Sequence, residues 1–147
     1  MSNIKLLCPA LPDMPWQDRP AGCAAPLWRY SGNPVIGRNP LPGVARIFNS
    51  AVAPCEGGYI GVFRGEQVNG IPFIYLGLSA DGIRWEFEPQ KIQFVDKQGK
   101  PAQPVYAYDP RLVKVEDTWY IMWCQDFNGA SIGLAETKDV KTVTRLE

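Results

Sequence analysis

The sequence contains no histidine. That removes histidine-based catalytic dyads, histidine metal sites and histidine pH switching together. Net charge is absent as well: 15 basic residues balance 15 acidic ones, so nothing steers the chain toward nucleic acid or an anionic membrane surface. No apolar run approaches the length of a membrane span. The opening stretch before Pro9 is too short for a signal-peptide core, which sets the expectation of a cytoplasmic protein. The four cysteines, Cys8, Cys23, Cys55 and Cys124, are scattered, without the close spacing of a zinc ribbon or a redox pair. No metal site is expected, and the thiols read as free cysteines of a reducing compartment.

Turn formers and aromatics are what the chain does have: 14 prolines, 14 glycines and many Trp, Tyr and Phe, a balance that points to an all-β fold. Residues 1–47 are Pro-rich and lack a helical period; they read as an ordered arm laid over a β body, with one short strand at Asn33-Pro34-Val35-Ile36. Residues 48–88 read as four strands, Phe48 to Cys55, Tyr59 to Arg64, Pro72 to Leu78 and Ile83 to Phe87. Asn69-Gly70 and Asp81-Gly82 mark two of their turns. Residues 89–107 form a polar linker, and strands resume over 108–147. Asp109-Pro110-Arg111 stands at the mouth of the first of these. Pro110 is expected to push Asp109 toward an extended conformation, with Asp109 and Arg111 on one side of the strand.

The second strand set repeats the first. Phe48 to Glu56 aligns with Tyr108 to Glu116, and Tyr59 to Arg64 with Trp119 to Cys124, at the same offset. Leu76-Gly77-Leu78-Ser79 aligns with Ile132-Gly133-Leu134-Ala135, and Asp81 with Asp139. A repeated four-strand unit is the mark of a β-propeller blade, so two four-stranded blades are expected, 48–88 and 108–147. The innermost strand of every blade starts beside the central axis. Asn49 and Asp109 are equivalent and should therefore border one pocket, with Ser50 and Arg111 beside them. Two readings of Arg64 stand: it faces a polar cleft, or it reaches solvent. Asp109 with Arg111 could equally be a turn held by an ion pair. A carboxyl, guanidiniums and amide or hydroxyl groups, without a metal cluster, suit a neutral polyhydroxy ligand. Tyr108, Trp123 and Phe127 could stack on sugar rings, and core packing is the competing reading of all three.

Ile47 to Val52, Gly61 to Arg64, Ser79 to Trp85, Tyr108 to Arg111 and Ile132 to Ala135 together resemble glycoside hydrolase family 130, the β-mannoside phosphorylases. Pro15 to Cys23 with Leu27-Trp28-Arg29 is similar to the branch acting on 4-O-β-D-mannosyl-D-glucose. The resemblance implies a five-bladed β-propeller, of which this chain supplies about two blades plus the arm. It implies inverting phosphorolysis of β-1,4-mannosides to α-mannose 1-phosphate, with no cofactor and with inorganic phosphate as co-substrate. Asp109 is then the general acid, its proton relayed through the mannose 3-hydroxyl and its pKa raised by burial. Asn49, Ser50, Arg64, Tyr108 and Arg111 become substrate contacts, and Phe127 and Asn128 belong to a loop facing the acceptor sugar. That loop departs from the branch pattern, which leaves the acceptor open. The family's phosphate cluster is expected beyond Glu147, so the chain reads as the N-terminal part of a longer or split enzyme, completed by the remainder of the propeller or by a homo-oligomer. A hydrolase of the same family and a non-catalytic sugar-binding fragment are the alternatives.

Overall fold

A computed structural model describes residues 18–126 and 129–146. Nine strands form two sheets, and the described residues contain no helix. The first sheet holds β1 (Val44–Cys55), β2 (Gly58–Gln67), β3 (Pro72–Ser79) and β4 (Glu86–Lys91) in that order. Neighbours in it are antiparallel. The second holds β5 (Gln93–Val95), β6 (Tyr108–Val115), β7 (Thr118–Asp126), β8 (Ala130–Thr137) and β9 (Thr142–Arg145), in the order β5-β9-β8-β7-β6. The fold is all-β, two blade-like sheets of a partial propeller.

Short runs of aromatic and β-branched residues make these strands, because such side chains pack well on a pleated surface. Ile60, Val62, Ile74 and Leu76 of the first sheet meet Ile92, Phe94, Trp119, Ile121, Trp123, Ala135, Val140 and Val143 in one core. The first sheet is lined on its other side by rings, with Phe63 set edge-on to both Trp85 and Phe87. Trp123 sits edge-on to Phe94, and its indole N–H donates to Gln125 Oε1 at 3.0 Å.

The repeat is visible in the register. Ala51 pairs with Val62 and Arg111 with Met122; Cys55 pairs with Gly58 and Val115 with Thr118. The loops that follow the third strands also match. In the first, Ser79 Oγ accepts the N–H of Gly82, and Asp81 Oδ1 accepts those of Ile83 and Arg84. In the second, Thr137 Oγ1 accepts the N–H of Val140, and Asp139 Oδ1 accepts those of Lys141 and Thr142. Gly82 and Val140 both have positive φ, 74° and 60°. Valine pays a steric penalty there that glycine avoids, but its side chain is fully buried in the core.

The third strands slide relative to the sequence alignment. Ser79 faces Tyr59, and Thr137 faces Trp119, so Ser79 corresponds to Thr137 and not to Ala135. Gly77 and Gly133 are therefore not equivalent: Gly77 faces Gly61 across the ladder, and Gly133 faces Trp123. A Cβ on Gly77 would lie 2.9 Å from Phe63, and one on Gly133 would run into the Trp123 indole.

Three further expectations change. The fourth strand runs over Glu86–Lys91 rather than Ile83 to Phe87, because Asp81 holds residues 83 and 84 in its turn. The 89–107 connection is not wholly a linker: Gln93–Val95 pairs in parallel with β9 and gives the second sheet a fifth strand. Residues 33–36 form no strand; the Asn33–Pro34 peptide is cis, and most described side chains of the arm are exposed, with Trp28 and Tyr30 half-buried.

One face of the second sheet carries Met122 opposite Leu134 and Cys124 opposite Ile132. Met122, Ile132 and Leu134 are all exposed. By register they correspond to Val62, Ile74 and Leu76, which are buried in the core between the sheets.

Candidate functional site

The site forms where the edge strands β1 and β6 approach each other. Each carries a bulge at the same point. On β1, Phe48 pairs with Arg64 and Ser50 with Phe63, so Asn49 is the extra residue. On β6, Tyr108 pairs with Cys124 and Arg111 with Met122, so one residue of the Asp109-Pro110 pair is extra. A bulge re-aims side chains out of the ladder, and here it turns Asn49 and Asp109 toward each other. Asp109 has φ 51°, in the left-handed region, and not the extended backbone that Pro110 suggested. Asp tolerates that region better than most residues; positions of this kind cost of order 1–3 kcal/mol and cluster at functional sites.

Asn49 Nδ2 donates to Asp109 Oδ1 at 2.9 Å, and Arg64 Nη1 donates to the same oxygen at 3.0 Å. The Arg64 guanidinium lies near two rings that are themselves equivalent in the repeat, 5.4 Å from the centroid of Phe48 and 5.3 Å from that of Tyr108. Its Nη2 is 3.9 Å from Glu66 Oε2, while Glu66 Oε1 accepts Arg46 Nε at 3.1 Å and Nη2 at 2.8 Å. Arg46 flanks the Phe48 ring in turn, at 5.4 Å. Arg64 Nε is buried without a hydrogen-bond partner. Unsatisfied buried donors are uncommon in folded proteins.

Arg64 thus faces the cleft, and it is the cation paired with Asp109. Arg111 is exposed, and its Nη1 donates to the Pro110 carbonyl at 2.9 Å. The bulge separates it from the carboxylate it was expected to share a side with. Ser50 Oγ donates across its own bulge to the Phe48 carbonyl at 3.1 Å. Phe127 and Asn128 lie outside the described residues, as do the first residues of the Pro15 to Cys23 run.

Burial pushes the Asp109 carboxyl up in pKa, as expected, and is the largest single influence. The hydrogen bonds from Asn49 and Arg64, with the charges of Arg64 and Arg111, together outweigh it, so the carboxyl sits below its ordinary value. In the free site it is a carboxylate at neutral pH.

Beside the cluster, a cleft of about 390 Å³ is lined by Arg64, Gly70, Ile71, Pro72, Tyr106 and Tyr108. A hollow of about 400 Å³ at the opposite end of β1 is lined by Cys55 to Tyr59, Leu78 to Asp81, Arg84 and Glu86. Its Asp81 is already engaged by backbone N–H groups, so the smaller cleft is the one next to free chemistry. No group of three or more Cys, Asp or Glu that could hold a metal occurs among the described residues. Sequence reasoning missed Tyr106, Phe48, Arg46 and Glu66; the only trace of the last two is a cation and an acid that become cross-strand partners.

The sequence profile of glycoside hydrolase family 130, described as β-1,4-mannooligosaccharide phosphorylase, matches residues 10–147. The chain belongs to this family. A β-1,4-mannooligosaccharide phosphorylase of Ruminococcus albus is 40% identical over 146 residues, which cover 94% of this chain and 43% of that protein. The family-130 chain thus spans less than half the length of that relative. A crystal structure from Parabacteroides distasonis superposes with a TM-score of 0.64 at 25% identity, over 80% of this chain and 40% of that one. A structure from work on family-130 hydrolases that target β-1,2 mannosidic linkages in Candida mannan gives 0.56 at 23% identity, over 67% and 30%.

Proposed function

We propose that this chain supplies the acid and the mannosyl-binding wall of a β-1,4-mannoside phosphorylase. The observation that carries the reading is the convergence of Asn49 and Arg64 on one oxygen of Asp109 where two repeated sheets meet. The 40% identity to a protein of that activity supports it.

In this reading Asp109 is the general acid. Both bonds fall on Oδ1, which leaves Oδ2 to hold the proton. An acid must be protonated when it acts, and the free carboxylate is not. The substrate resolves this. Mannosyl hydroxyls draw the donors of Asn49 and Arg64 away from Oδ1, so the carboxyl loses its lowering partners while burial deepens, and its pKa rises. The proton then passes by way of the mannose 3-hydroxyl to the glycosidic oxygen as that bond to the anomeric carbon breaks. Phosphate oxygen forms the new bond from the opposite face, giving α-mannose 1-phosphate and a free sugar. Phosphate replaces the base-activated water of an inverting hydrolase, so one carboxyl suffices. Tyr108 and Phe48 hold Arg64 in place by ring contact. Ser50 and Arg111 lie at the rim as further substrate contacts. No cofactor is required.

The exposed Met122, Ile132 and Leu134 face suits a third sheet packed as the second packs on the first, which is how we expect the propeller to be completed.

Hydrolysis is the second reading, since a structural neighbour comes from work on family-130 hydrolases. Incubating the intact protein with β-1,4-mannobiose and inorganic phosphate separates the two. Mannose 1-phosphate is the expected product; free mannose alone, independent of phosphate, would refute the phosphorylase.

A further inference from the structure

Tyr106 has no part in the mechanism above. It lies two residues before Tyr108, in the segment that leads into β6, with the two ring centroids 5.9 Å apart and the planes inclined by 34°. Its hydroxyl is hydrogen-bonded to the Asp126 carboxylate at the end of β7, and this bond, with burial and the nearby negative charge, pushes its pKa up. The ring is therefore pinned at both ends, by backbone and by hydroxyl.

Tyr106, Tyr108 and Arg64 line the 390 Å³ cleft together with the Gly70-Ile71-Pro72 turn. That turn is also fixed. Asn69 Oδ1 accepts the Ile71 N–H at 3.0 Å, and the Gly70 N–H donates to Gln67 O at 2.9 Å. The Ala107 N–H donates to the Pro72 carbonyl at 3.0 Å, which ties this turn to the segment bearing Tyr106. The result is an open slot lined by two rings, an aliphatic turn and the Arg64 guanidinium. Arg64 bonds Asp109, so the slot and the acid share that guanidinium.

A pyranose ring has the complementary surface. Its C–H face packs on an aromatic plane, its edge carries hydroxyls for Arg64 and the Asp126 side, and it has no charge that would demand a counter-ion. With the mannosyl unit held by Asn49 and Arg64, the next ring along the chain has this slot to enter. We propose that Tyr106, with Ile71, binds the leaving sugar of the β-mannoside, which is the acceptor in the reverse direction, and that the pinned Tyr106 ring sets its affinity. This rests on the reading of the site given above.

The test is titration calorimetry on the intact protein with β-1,4-mannobiose and, separately, with α-mannose 1-phosphate. Tyr106→Ala is expected to weaken mannobiose binding about tenfold, the size of one aromatic face returned to water, and to leave mannose 1-phosphate within about twofold. Tyr106→Phe keeps the ring but frees it, and should fall between. Ile71→Ser, on an exposed turn, provides an independent variant of the cleft lining and should also weaken mannobiose selectively. In reverse phosphorolysis the same variants should raise KM for mannose as acceptor and not KM for mannose 1-phosphate. Unchanged mannobiose affinity in both Tyr106→Ala and Ile71→Ser, or equal weakening of both ligands, overturns the assignment. If the wild-type protein binds mannobiose yet forms no mannose 1-phosphate, the proposed reaction fails while the slot is still judged by its variants. If it binds neither ligand, both fail.

Discussion

Asn49 and Asp109 stand 60 residues apart, occupy the same bulge in successive repeats, and are joined by a 2.9 Å hydrogen bond. A repeat that only stabilised a fold would have no reason to bend both edge strands at that point. The bend costs two ladder positions and puts an amide against a carboxylate.

Asp109→Asn tests the acid directly. Asn tolerates left-handed backbone as well as Asp does, so the fold should survive, with a change in stability within about 1 kcal/mol. Turnover of mannobiose should fall by about 10²–10⁴. Thermal melting beside product release measures the two separately. Asp109→Ala should be less stable than Asp109→Asn, since alanine has neither the tolerance nor the bond to Asn49.

Arg64→Met removes the cation that keeps Asp109 ionised. Burial, the largest influence, then dominates, and the Asp109 pKa should rise. The sign for stability follows from linkage. In the wild type the folded pKa lies below the unfolded one, so the stabilisation is present above the unfolded value and is lost as pH falls through the folded value, below about pH 4. Arg64→Met should flatten that acid-side loss. Carboxyl ¹³C chemical shifts followed through a pH titration report the pKa, and denaturation at several pH values reports the slope. An unmoved Asp109 titration would show that the ion pair has no such control.

Substrate binding should take up a proton near neutral pH, because the free carboxylate must become the acid. Calorimetric titration of mannobiose in buffers of different ionisation enthalpy counts it. No uptake would mean that Asp109 stays ionised in the complex, and the acid would have to be sought elsewhere.

Much of this was legible beforehand. Aromatic and β-branched runs bounded by Asn69-Gly70 and Asp81-Gly82 located the strands, and the matched runs at one offset made Asn49 and Asp109 equivalent. What escaped was non-local. β5 acquires its partner only when β9 arrives far along the chain, and three residues are too few to mark a strand by their own pattern. Which arginine meets Asp109 depends on a contact between sheets, and Arg111, the neighbour in sequence, loses to Arg64 because a bulge intervenes. The third-strand alignment is two residues out because Leu76-Gly77-Leu78 and Ile132-Gly133-Leu134 look alike, while cross-strand pairing sets Gly77 against Gly61 and Gly133 against Trp123.

Gly133 gives a check on that last point. Its missing side chain is filled by the Trp123 indole, which is held by Phe94 and by Gln125. Gly133→Ala should therefore displace the ring and cost about 1–3 kcal/mol, and Trp123→Ala about 3–5 kcal/mol. Denaturant melts give both values. Near-ultraviolet circular dichroism should change in the first variant even where the fold persists.

The bare Met122, Ile132 and Leu134 face has a practical side. Sulfur and branched carbon displayed on a flat, already paired strand surface make an adhesive, so this stretch handled alone will cling to itself as concentration or sulfate rises, and Met122→Lys with Leu134→Glu will keep it dispersed. The same pair of changes, placed in an intact protein where a further sheet covers that face, will do the opposite and spoil its folding.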